Sequence, residues 1–334
     1  MEDNFGPRPH VLNWRRQGIP LPTRPSLAEA RTRFNGENQA GRTPNLIVFT
    51  DGSQAGNDSA HAVLRTGEAD YAAVRDWFGG IDLPQGQNGD DQTTPRTALP
   101  VQVLMDPQAG GAYHYGCNAT DLYIEPDPQL ASGFMVAELV EVFEAAQHKG
   151  WACGQTNGEG LSRVLAAERN SNLCPDLAAT YQAWWSNGHA DYVNRNDATD
   201  QDENGNGCGT LFLFYLHSQL GFSWQQITTI GGGTLGETYQ RLTGKAPTQG
   251  FNDFVSLVGS LDQGGQLRLP ANGNPFPIGG ATRPADPPVP GAVAGAGVPV
   301  PSGGGVNWAL VLVALIVVII VVLAIGVLAL HWHM

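Results

Sequence analysis

The stretch from Trp308 to Leu330 constrains this chain most: it is uncharged and almost wholly apolar, with Gly326 as its one soft point. At about 1.5 Å per residue, a helix over it spans roughly 30–35 Å, the thickness of a hydrocarbon core. Trp308 and Trp332 flank the run, where amphipathic indole rings favour the two membrane interfaces. Residues 306–330 are therefore expected to form a single transmembrane helix, with the lipid bilayer as partner and 331–334 as a short tail. The first 45 residues hold Arg8, Arg15, Arg16, Arg24, Arg31, Arg33 and Arg42 but no apolar segment of the kind that opens a leader. That pattern predicts a C-terminal tail anchor with the bulk of the chain cytoplasmic. The alternative is an extracytoplasmic domain whose leader lies upstream.

Composition limits the rest. The chain has 334 residues, a formal net charge of −13, and 43 Gly with 23 Pro. The acidic balance argues against a nucleic-acid partner bound through its phosphates and against adhesion to anionic lipid through a basic patch. The Gly and Pro are not evenly spread. Residues 266–305 run from Pro270, Pro275 and Pro277 to Gly303-Gly304-Gly305 and read as a low-complexity linker. Residues 1–44 are Arg-rich and punctuated by Pro and Asn, and read as an extended or disordered arm. The folded domain is left to residues 45–265.

Within it, strand patterns come first and helical ones later. Residues 45–50 are apolar and β-branched and stop at Asp51-Gly52; residues 99–105 and then 113–124 read as further strands divided by Gly110-Gly111. After Pro128 the period becomes helical. Residues 134–149 place Val136, Leu139, Val140 and Phe143 on one side, with Gly150 as a stop. A second helix follows Thr156, a third begins near Pro175, and the apolar stretch 211–220 is expected to be a buried helix. This order predicts an α+β domain.

The chemistry-bearing segment is Ala137-Glu138-Leu139-Val140-Glu141, followed by Asn157-Gly158-Glu159-Gly160-Leu161-Ser162-Arg163. With its order of sheet, acidic helix and helical remainder, the region resembles the zincin metallopeptidases of the gluzincin type. It also resembles membrane-anchored bacterial proteins that carry similar segments. A zincin helix reads H-E-x-x-H, in which two imidazoles one turn apart hold zinc and the glutamate activates water. The resemblance puts Ala137 in the first ligand place, Glu138 in the place of the general base, and Glu141 in the second ligand place. Glu159 matches the third ligand, which comes from a later helix. With both helix imidazoles missing, the resemblance implies a degenerate scaffold that binds or displays rather than cleaves. A cation held by Glu141 and Glu159 is expected to be Ca²⁺, Mg²⁺ or Mn²⁺ rather than zinc.

Local roles compete with that reading. Glu138, Glu141 and Glu144 follow a three-residue spacing that also suits a solvated helix face. Thr156 and Glu159 have the form of a capping box, and Glu159 with Arg163 the form of an i,i+4 pair. Asp200, Asp202 and Asn204, followed by Gly205, copy the first half of a Ca²⁺ loop, although Leu211 stands where the closing carboxylate belongs. Cys117, Cys153, Cys174 and Cys208 lack C-x-x-C spacing: they predict two disulfides in any of three pairings if the domain is exported, and reduced core thiols if it is not. The functions left open are a binding or scaffolding domain with a protein or peptide partner, a metal-dependent hydrolase using Glu138, and a structural protein tethered to the membrane.

Overall fold

The computed structural model describes residues 7–9 (backbone only), 25–34, 36–86, 94–199 and 202–268. The linker from 269 onward and the apolar run 308–330 lie outside the described residues, as does Asp200. Among the described residues, no helix is long and apolar enough to cross a membrane.

The sheet is built around strand β3 (Leu46–Phe49) and strand β4 (Val101–Met105), which pair in parallel with Leu46 opposite Val101. A parallel pair needs a crossover, and helix α2 (Gln54–Trp77) supplies it. Ser53 caps α2 by accepting from the Gly56 amide. Strands β5 (Ala112–Tyr115) and β6 (Asp121–Ile124) follow as an antiparallel pair, and β6 runs parallel to β4. With strands β1 (Pro7–Pro9) and β2 (Gln39–Arg42), the order across the sheet is β1-β5-β6-β4-β3-β2. The central strands are buried on both faces, which is why they read as near-continuous apolar runs.

Helices cover one face. Helix α3 (Ala131–Gln147) lies against β5 and β6, with α2 on one side and helix α4 (Thr156–Arg169) on the other. Helix α5 (Cys174–Ser186) and helix α6 (Glu203–Phe214) extend the layer; a Cβ on Gly160 of α4 would meet the Gly209 carbonyl carbon of α6 at 3.0 Å, so these two helices approach through glycine. Helices α7 (Trp224–Ile230), α8 (Leu235–Thr243) and α9 (Pro247–Gly259) complete it. On the opposite face, helix α1 (Leu27–Arg31) and Phe34 cover a smaller aromatic cluster of Phe49, Tyr113, Tyr115 and Tyr123.

The α+β expectation holds, with three corrections. The segment 54–77, given no element in the sequence reading, is the longest helix among the described residues and makes the strand order partly β-α-β. Its buried stripe is formed by small residues and few large ones, with Ala60, Val63, Tyr71 and Val74 spaced through a polar sequence. The Arg-rich region 1–44 is not uniformly extended, because β1, α1 and β2 lie in it and Arg33 is held by Asp106 at 2.6 Å. The buried helix expected over 211–220 begins instead at Glu203, and its α-helical part ends at Phe214 in a π-turn, Tyr215–Gln219.

Candidate functional site

Three glutamates of α3 define the site. A spacing of three residues in a helix moves each side chain about 60° around the axis, so Glu138, Glu141 and Glu144 form a slanting row. That row is not solvated. Glu138 is 1 % exposed, Glu141 3 % and Glu144 1 %, because β5 closes one flank of α3 and α4 the other.

Strand alternation brings in a residue from the sheet. Ala112 and His114 of β5 point toward the helices, while Tyr113 and Tyr115 point to the aromatic cluster. His114 is fully buried. Its Nδ1 lies 3.6 Å from Glu138 Oε2 and its Nε2 lies 3.3 Å from Glu141 Oε2, but neither ring nitrogen meets hydrogen-bond geometry. A strand thus places an imidazole beside two carboxylates of the helix row.

The connection between α3 and α4 closes the site. Cys153 is joined to Cys117 of the β5–β6 turn by a disulfide with a Cα–Cα distance of 5.7 Å. The expectation of two disulfides, like that of four reduced thiols, gives way to one bridge. Cys174 and Cys208 are buried free thiols, both pushed above the usual thiol range by burial. Glu159 Oε1 accepts from the Gly154 amide at 2.9 Å, and Glu159 Oε2 accepts from Arg163 Nη2 at 2.8 Å. The i,i+4 pair is therefore real, but it is buried. The capping box is not formed: Gln155 is the N-cap of α4 and makes no side-chain capping bond.

Glu144 stands apart from these pairings. Both of its carboxylate oxygens are buried without a hydrogen-bond partner. Burial, with the negative charge of Glu141 added to it, pushes its carboxyl well above the ordinary carboxylate range. Gly158 of α4 makes room for it, since a Cβ there would stand 2.7 Å from Glu144 Oε2. Glu144 also lines a cavity of about 710 Å³, together with Asp82, Asn118, Cys117, His148 and Trp151.

The structure thus brings Glu138 and Glu141 together at His114 and sets Glu159 on the neighbouring Cys153-Gly154 segment. A gluzincin-type zinc centre does not fit this arrangement, because Ala137 offers no donor and Glu159 is already held by Arg163 and the Gly154 amide. Of the Ca²⁺-loop residues, Asp202 and Asn204 are described. Asp202 caps α6 by accepting from the Asn204 amide at 3.0 Å, and Asn204 Oδ1 accepts from Asn187 Nδ2 at 2.8 Å. Helix begins at Glu203, directly after Asp202. Sequence assigns His114 no role, marks Glu144 only as part of a helix face, and leaves the pairing of Cys117 and Cys153 open. Alternation within Ala112–Tyr115 was the available signal for His114. Comparison of the chain with family models, with curated proteins and with solved structures finds no match.

Proposed function

We propose that this chain is a membrane-tethered binding protein. Its folded domain has a degenerate zincin-like helix pair and takes a cationic group of a protein or peptide partner into the cavity beside Glu144. The observation that carries the reading is Glu144, a residue of the wall of a cavity of ligand size whose enclosed carboxyl has no hydrogen-bond partner. Among the described lining residues the acidic side chains are Glu144 and Asp82, the latter paired with Arg75 at 2.7 Å, and none is Lys or Arg, which favours an ammonium or guanidinium beside Glu144 over an anion. An incoming cation gives Glu144 the counter-charge it lacks, so binding and ionisation of Glu144 are coupled, and protons are released. Glu138, the residue a hydrolase would use as base, lies against His114 and is not part of the cavity wall. The bilayer partner remains the run 308–330, and the Cys117–Cys153 bridge supports the extracytoplasmic placement of the domain.

Calorimetric titration of the full chain in detergent with a lysine-bearing peptide and its Nε-acetylated counterpart tests this. The free amine is expected to bind at least about tenfold more tightly and to release protons, and Glu144→Gln to abolish both effects. Equal affinity for the two peptides, or undiminished proton release in Glu144→Gln, contradicts the reading.

A further inference from the structure

Glu138, Glu141, Glu144 and Glu159 sit at the α3–α4 interface, each at most 3 % exposed, opposite Arg163 and the His114 ring. A ring nitrogen of His114, a carboxylate oxygen of Glu141 and the Cys153 sulfur all lie within 4.8 Å of one another. Imidazole nitrogen, carboxylate oxygen and thiolate sulfur are the donors that zinc accepts, and three protein ligands with one open position form a recurrent zinc coordination. His114 adds a separate indication, because it is fully buried and neither nitrogen has a hydrogen-bond partner. The missing donor is the third one: Cys153 is bonded to Cys117, and a disulfide sulfur lacks the thiolate charge that binds metal.

We propose that reduction of the Cys117–Cys153 bridge by a dithiol opens a zinc site formed by His114, Glu141 and Cys153. Cys117 is the accessible half of the bridge: it is partly exposed and lines the cavity, whereas Cys153 is 4 % exposed. A reductant thiolate attacks the Cys117 sulfur, and the electron pair of the broken S–S bond leaves on Cys153, beside His114 and Glu141. The second reductant thiol then displaces Cys117, and the reductant departs as its own disulfide. Of the two protons the dithiol brings, one ends on Cys117. The other is released when the Cys153 thiolate takes Zn²⁺ in place of a proton. Three protein ligands would leave a fourth position for water. This site is distinct from the ligand set of the helix motif, since its nitrogen comes from β5 and its sulfur from the α3–α4 connection. Its ligands do not include Glu144, the residue assigned above to a partner's cation.

The test is zinc and cobalt titration of the full chain in detergent, before and after dithiol reduction, with near-ultraviolet circular dichroism reporting the fold. The oxidised protein should hold no zinc and the reduced protein one equivalent per chain. Cobalt should give a thiolate-to-metal charge-transfer band only after reduction. Cys117→Ser should bind zinc without reductant, Cys153→Ser should show no band in either state, and His114→Gln should weaken zinc at least about tenfold. Equal zinc uptake in both redox states, no uptake by the reduced wild type, or a band that survives Cys153→Ser would overturn the proposal. Loss of the folded state on reduction would overturn it as well.

Discussion

On the face of the sheet covered by α1, each buried carboxylate meets a guanidinium. Asp106 is held by Arg33 at 2.6 Å and by the Tyr113 hydroxyl at 3.1 Å, and Asp121 is held by Arg96 at 2.9 Å with Arg31 at 3.6 Å. On the face covered by α3 and α4, Glu159 has its guanidinium in Arg163, but Glu144 is buried as deeply and has no partner. Both regions have removed ionisable groups from water at comparable depth. A buried charge that is fully answered within the protein is a structural device, whereas one left unanswered at a cavity is a site for something that comes from outside. The pairing around Asp121 and the isolation of Glu144 are therefore opposite uses of one residue class.

The largest effect should come from breaking the answered side. Arg96→Ala strands Asp121, whose carboxyl burial already pushes above its ordinary range against the opposing pull of Arg96 and Arg31. Removing one partner of such a buried pair costs about 3–5 kcal/mol, and denaturant unfolding should find the lower end of that range because Arg31 remains. The unanswered side should respond in the other direction. Glu144→Gln keeps the shape of the side chain and removes the need to hold a carboxyl neutral. Its folded pKa is raised and the unfolded chain ionises in the ordinary carboxylate range, so wild-type stability falls as pH rises from that range toward the raised value. Glu144→Gln is thus expected to stabilise the domain by about 1–3 kcal/mol near pH 8, with the gain vanishing near pH 4. A gain that does not depend on pH would count against the buried neutral carboxyl. The smallest effect belongs to the surface: Asp197 faces Arg195 at 3.1 Å with both side chains near half exposed, and Asp197→Asn should cost no more than about 0.5 kcal/mol.

Much of the fold was legible where one physical signal dominated. Leu46–Phe49 reads as a strand because its residues are apolar and β-branched up to a turn, and Cys174–Ser186 reads as a helix because Pro175 opens it. Helix α2 was missed because Gly56, Asn57, Asp58 and Gly67 mask its stripe; Gly67 is there for contact, since a Cβ on it would collide with the Leu46 side chain. The site was half legible. The acidic row on α3 and the pairing of Glu159 with Arg163 follow from three- and four-residue helix spacings. Its burial does not follow, since charges three apart in sequence look the same on a wet helix face and inside a helix–sheet interface. Nor does sequence spacing reveal that Cys117 and Cys153, 36 residues apart, meet beside His114.

The most direct measurement is the carbon-13 titration of the Glu144 carboxyl, assigned by its loss in Glu144→Gln, with and without the lysine-bearing peptide. The carboxyl should titrate well above the ordinary carboxylate range in the free protein and lose its proton at lower pH when the amine binds. A carboxyl that titrates in the ordinary range without ligand, or a neutral one that the amine leaves unchanged, would contradict the account.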